Sequence, residues 1–308
     1  MILATFCSVS SSTWLGMWGM MELVMFSFLP VLLSFGGNKH TSLVGLWKYF
    51  VAQTFSSIVI VTLLVMGSFS SLSEVDVGMI VFFGVMVKVG MVPFHGWSFH
   101  LAECLSKTQF FMMNSALKIP PLGVVSSLAS HLYTQTPFIF VLSGLLSASF
   151  LLSNLSLMWS LMASSTYMMS WMMVCSFLGK GELSSFFILY AASLLLVLVS
   201  FPPFVNGLWV VGSGSLITSL SLFSLMGPPP SGVFWGKVGV VSTLLESGFF
   251  ELAVSLLILS ALASFFYMKF ILFNLTKFSF PMMANFGVMV MSGSTLLLGV
   301  VGLTIFVL

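Results

Sequence analysis

Four ionisable side chains stand isolated in long apolar stretches of this sequence: Glu22, Lys88, Lys118 and Lys237. The chemistry open to them is proton transfer. A carboxylate and an ammonium group can each gain or lose a proton without help from a cofactor. An ammonium held away from water is biased toward its neutral form, and an amine that can lose its proton can pass one on. Placing such a charge at mid-helix in a bilayer costs on the order of 2.5–3.5 kcal/mol, so the four together cost roughly 10 kcal/mol or more. A penalty of that size predicts that they face a bundle interior or a watered cavity, and that they pair. One acid cannot neutralise three lysines, so one or two of the lysines are expected to lack a full partner. The competing reading makes any of them a structural ion-pair partner that only joins helices.

Their neighbours sharpen the expectation. Lys88 is followed by Gly90 and Pro93, and Lys118 by Pro120 and Pro121, while Lys237 lies two helical turns beyond Gly227-Pro228-Pro229-Pro230. A proline inside a helix removes one backbone hydrogen bond and displaces the carbonyl it would have met. In lipid such carbonyls must find side chains or water. A break beside a lysine is therefore a place to hold water and a mobile proton. Lys48, near the start of an apolar run, is expected to snorkel toward the membrane surface instead.

The elements that must position these groups follow from composition. Of 308 residues, 59% are hydrophobic and 5% charged, against about 25% charged in a soluble domain. The sequence therefore predicts an all-α polytopic membrane protein, a single transmembrane helical domain over 1–308. The apolar runs are continuous rather than alternating, which argues against a barrel. A half-length stretch at 1–12 is followed by spans at about 14–36, 43–67, 76–97, 108–130, 136–153, 155–178, 183–203, 207–246, 249–273 and 283–307, eleven in all. The ninth is too long for one plain helix and is interrupted by the proline run. Spans four and nine run in opposite directions and both are broken. This pattern suggests inverted repeats, with halves at about 1–133 and 134–275 and a C-terminal helix at 283–307.

Lysines set the orientation. Connections after even-numbered spans carry or adjoin Lys39, Lys107, Lys269 and Lys277. Those after odd-numbered spans carry Glu74, Asp76, Glu182, Glu246 and Glu251, with Lys180 the one lysine there. The positive-inside rule puts the even side and the N-terminus in the cytoplasm or matrix, and the C-terminus opposite.

Other chemistry finds little support in the sequence. A net charge of +2 gives no footprint for nucleic acid. Cys7, Cys104 and Cys175 lie far apart, and His40, His95, His100 and His131 lack metal-ligand spacing. No phosphate-binding glycine loop is present, and Gly212-Ser213-Gly214 reads as a close helix contact. His95 is expected at a helix end near the membrane edge, with a local hydrogen bond or a role in proton uptake both open. The apolar start of the chain, without a basic leader, gives no sign of a cleaved targeting peptide.

Several stretches resemble subunit 2 of the respiratory NADH:ubiquinone oxidoreductase, complex I, in its animal mitochondrial form. The run from Lys88 through Gly90, Pro93, Phe94, His95 and Trp97 is similar to that family's Lys-Leu-Gly-x-x-Pro-Phe-His-x-Trp signature. Trp18 to Leu32, with Glu22 and Phe28-Leu29-Pro30, resembles its early glutamate helix. Lys48-Tyr49-Phe50, Leu117-Lys118-Ile119-Pro120-Pro121 and Ser224 to Lys237 resemble three further elements in the same order. The matches cover about residues 14–240. The chain departs from the pattern at Met158 and Trp159, where the family has basic residues, at Met168, and over Ser98-Phe99-His100-Leu101.

The resemblance implies an antiporter-like membrane-arm subunit of the mitochondrial inner membrane, with eleven helices and a matrix-side N-terminus. It implies that this chain translocates protons and does no redox chemistry itself. NADH, FMN, iron–sulfur clusters and ubiquinone would belong to other subunits, and this chain would hold no cofactor and no metal. Its partners would be other membrane-arm subunits and the lipid bilayer, cardiolipin included. Glu22 would pair with Lys88, Lys118 would relay the proton toward the centre, and Lys237 would pass it to the exit side. A self-standing cation/proton antiporter and a non-pumping scaffold remain alternatives.

Overall fold

A computed structural model of the chain describes residues 1–11, 13–34, 39–69, 74–128, 136–153, 157–201 and 216–276. It forms two compact units, one of residues 1–147 with 158–179 and the other of 148–157 with 180–308. All regular structure among the described residues is helical. This follows from an apolar surround, where each backbone polar group must be satisfied within its own segment.

The first unit begins with α1 (Ile2–Ser10), α2 (Trp14–Ser34), α3 (Lys39–Phe69) and α4 (Glu74–Val89). Next come the short α5 (Gly96–Ala102) and α6 (Lys107–Asn114), a single 3₁₀ turn (Ala116–Lys118) and α7 (Ile119–Leu128). Most of α8 (Thr136–Ser153) and all of α9 (Leu157–Leu178) complete it. The second unit holds α10 (Lys180–Ser200), α11 (Leu216–Met226), α12 (Gly232–Glu246) and α13 (Phe250–Thr276).

Five helices among the described residues are long and apolar enough to cross a bilayer unbroken, within α2, α3, α9, α10 and α13. The window in α9 is 89% buried, against 28% in α2 and 39% in α10. Helix α9 is therefore an interior helix, while α2 and α10 turn leucine, isoleucine and phenylalanine outward, as a lipid-facing helix should. Inside α9 the hydroxyls of Ser164, Ser165, Thr166, Ser170 and Ser176 each donate to a carbonyl three residues back. These bonds let a serine-rich helix lie in a dry interior without orphaned hydroxyls.

The structure revises two expected spans. The fourth, expected over 76–97, stops at Val89. Gly90 takes a left-handed conformation (φ 73°), and both its N–H and that of Met91 bond back to Met86. The chain then turns into α5. The fifth, expected as one helix over 108–130, is broken at Ser115 (φ −114°, ψ −79°), before Lys118 rather than after it. Pro120 and Pro121 lie in the first turn of α7, where the missing N–H groups would have had no helical partner. The ninth span does divide at the proline run, between α11 and α12. The eleventh span, at 283–307, lies outside the described residues, as do Gly212-Ser213-Gly214 and His131.

Candidate functional site

Lys88 sits in the last turn of α4, where the stop at Gly90 leaves carbonyls short of helical donors. Two side chains meet them. Gln53 Nε2 of α3 donates to the Lys88 carbonyl (3.0 Å), and the Trp97 indole of α5 donates to that of Val87 (3.1 Å), which also accepts from the Gly90 N–H (3.2 Å). With the backbone so held, the Lys88 ammonium reaches Glu22 Oε1 of α2 at 2.6 Å. The lysine side chain is 3% exposed and the glutamate 14%. A buried pair this short is a charge-assisted hydrogen bond as well as an ion pair. The expected pairing of Glu22 with Lys88 is thus present in the geometry.

Lys118 is also buried, at 5% exposure, but it is held differently. Its ammonium lies 3.5 Å from the carbonyl of Ser165 on α9, the outer limit of a hydrogen bond. No carboxylate lies within ion-pair distance of it among the described residues. Lys88 and Lys118 line one cavity of about 30 Å³, with Tyr49, Gln53, Ser98 and Asn114 among the other walls. The Tyr49 hydroxyl and Asn114 Oδ1 are buried there without hydrogen-bond partners among the described residues. At about 10–15 Å³ per molecule, such a cavity has room for about two or three waters.

In the second unit, Lys237 of α12 reaches back across the helix break. Its ammonium donates to the carbonyl of Met226, the last residue of α11, at 3.1 Å. Gly227 makes this reach possible. It adopts φ 84°, and a Cβ there would stand 3.1 Å from Lys237 Nζ. Glycines also seat the helix that carries the lysine. Gly232, Gly236 and Gly239 recur at i, i+4 and i+7 on α12, so they share one face. That face receives Leu189, Phe186 and Glu182 of α10.

Sequence reasoning named all four charged residues but missed their supports. Gln53, Trp97, Tyr49, Asn114 and the glycine face of α12 drew no attention in these roles. Only the glycine spacing offered a signal, as a small-residue repeat on an apolar helix. Another contact went unforeseen: the Trp159 indole donates to the Glu103 carboxylate, at the position that departs from the family pattern. His95 caps α5 without a side-chain capping bond, its Nδ1 lying 3.2 Å from the Pro93 carbonyl.

The chain thus falls in the class of polytopic all-α membrane proteins with buried lysines at interrupted helices. Comparisons with known proteins narrow this class. The sequence is 30% identical over 239 residues to NADH-ubiquinone oxidoreductase chain 2 of Artemia franciscana, covering 72% of this chain and 71% of that one. It is 28% identical over 275 residues to the same-named protein of Albinaria caerulea, covering 87% and 85%. The chain belongs to the NADH-ubiquinone oxidoreductase chain 2 family. Its fold matches a chain of respiratory complex I from Thermus thermophilus with a TM-score of 0.79 at 16% identity, over 98% of this chain and 75% of that one. No protein-family model matches the sequence.

Proposed function

We propose that this chain is a proton-translocating membrane-arm subunit of complex I, seated in the mitochondrial inner membrane with its N-terminus in the matrix. NADH oxidation and quinone reduction take place in other subunits, and their energy reaches this chain as an electrostatic or conformational bias. One observation supports the reading above the others: a carboxylate-paired lysine and a second, loosely held lysine line the same small cavity. A change in the charge of Glu22 or Lys88 alters the protonation free energy of the nearby amine by about 1.4 kcal/mol per pKa unit. Moving a proton outward opposes about 2.3 kcal/mol per 100 mV, so a few such steps suffice. Glu22 tunes Lys88, Lys118 relays, and Lys237 delivers toward the exit side.

Lys118→Met in the assembled complex, reconstituted in vesicles, tests this reading. The expected result is a several-fold fall in protons moved per NADH, with the complex still assembled. Unchanged pumping with impaired assembly would assign the lysine to architecture. Ion exchange by the purified chain alone, without NADH, would favour a self-standing antiporter.

A further inference from the structure

Helices α3, α4 and α5 enclose an open groove of about 580 Å³ on the outer surface of the first unit. One wall is a stripe on α3: Trp47, Lys48, Val51, Ala52 and Phe55. Trp47 is 64% exposed, Val51 57% and Phe55 57%. The stripe falls within a candidate membrane span, Leu43–Thr62. Lys48 is therefore an exposed cation about 8 Å inside that span, at 1.5 Å per residue from Leu43. An ammonium at that depth on a lipid-facing surface needs an anion or a route to the interface.

The groove is polar at one end only, and contacts along α3 show which end. Gly45 packs on Leu101 and Cys104, Tyr49 on the Trp97 ring (5.8 Å), and Gln53 bonds to the Lys88 carbonyl. Residues opposite α3 thus descend in number as α3 runs inward. His100 accordingly belongs to the Lys48 end, and Phe94 and Val87 to the deep end beside Phe55. The deep end holds no ionisable side chain. From Trp47 to Phe55 the stripe runs about 12 Å, at 1.5 Å per residue. A basic, tryptophan-flanked end at the membrane boundary and an apolar trough leading inward match one amphiphile: headgroup anion outward, acyl chain inward.

We propose that this groove binds an anionic phospholipid, its phosphate on Lys48 and His100 and an acyl chain along Val51, Ala52 and Phe55. None of Glu22, Lys88, Lys118 and Lys237 lines this groove, so the proposal can stand or fall apart from the proposed function.

The test uses the intact complex purified in mild detergent. A map of the assembly should contain lipid density in the groove, with its phosphate at ion-pair distance from Lys48. Mass spectrometry of the retained lipid should show one fewer anionic phospholipid per complex in Lys48→Met, and the same loss in Ala52→Trp, which fills the trough but keeps the charge. Side chains of another subunit filling the groove would overturn the proposal. So would a neutral lipid there, or anionic lipid retained equally in both variants. If a variant fails to assemble, the map of the unaltered complex still decides.

Discussion

Lys88 and Lys237 are both buried cations beside an interrupted helix, yet the two regions hold them by opposite means. Around Lys88 the freed carbonyls are met by neutral donors, Gln53 and Trp97, which leaves the ammonium for a carboxylate. Around Lys237 the ammonium itself donates to the freed carbonyl of Met226. One lysine makes a short ion pair, and the ammonium of the other reaches a carbonyl at the helix break. The first arrangement responds to its partner's protonation, and the second depends also on the geometry of the break. A buried lysine next to a glycine or proline stop can therefore take either role, and the role depends on which other donors reach the open carbonyls.

The largest effect should come from Glu22→Gln. Breaking a buried pair by removing one partner costs about 3–5 kcal/mol. Lys237→Met loses a hydrogen bond and strands a carbonyl, for about 1–3 kcal/mol. Thermal unfolding of the assembled complex should show the larger drop for Glu22→Gln; the reverse order would break the contrast between the two regions. Gly236→Ala comes next. Its Cβ would stand 2.3 Å from Phe186 Cδ2, and overpacking of this kind costs about 1–3 kcal/mol. The readout is a lowered midpoint together with reduced pumping, because α12 is pushed off α10 and carries Lys237 with it.

Gly227→Ala and Gly90→Ala form a matched pair. Both force a side chain into a left-handed conformation, at about 1–2 kcal/mol. At Gly227 the new methyl meets the Lys237 ammonium, while at Gly90 it meets Ser98 and Trp97. Proton translocation should fall more in Gly227→Ala than in Gly90→Ala at equal loss of stability. Equal losses of both would remove the distinction between a lysine whose ammonium reaches a carbonyl at the break and one whose ammonium does not. Gly123→Ala is the smallest change. Nothing lies within 4 Å of its Cβ, and it sits inside α7. It should stabilise by about 0.5–1 kcal/mol and leave pumping unaltered.

Much of this was legible in advance because of the solvent. A helix in lipid must be continuously apolar, so any charge within one stands out, and Glu22, Lys88, Lys118 and Lys237 were found that way. The proline run at 228–230 marked its break correctly, since three consecutive prolines cannot continue a helix. Pro120 and Pro121 misled by one turn. A proline reads the same whether it ends one helix or starts the next, and only the conformation of Ser115 tells which. Gln53 and Asn114 were invisible because an amide in a membrane helix gives no clue to what it will face.

The sequence by itself determined that the chain is helical, lies in a membrane and bears four costly charges, three of them near helix interruptions. Burial in lipid leaves few other ways to arrange such residues. Tertiary structure alone decided which charges meet. The partner of Lys88 lies 66 residues away, and the carbonyl beside Lys118 is on another helix. Distances between helices arise from packing, through residues such as the glycines of α12, and not from the order of residues along any one span.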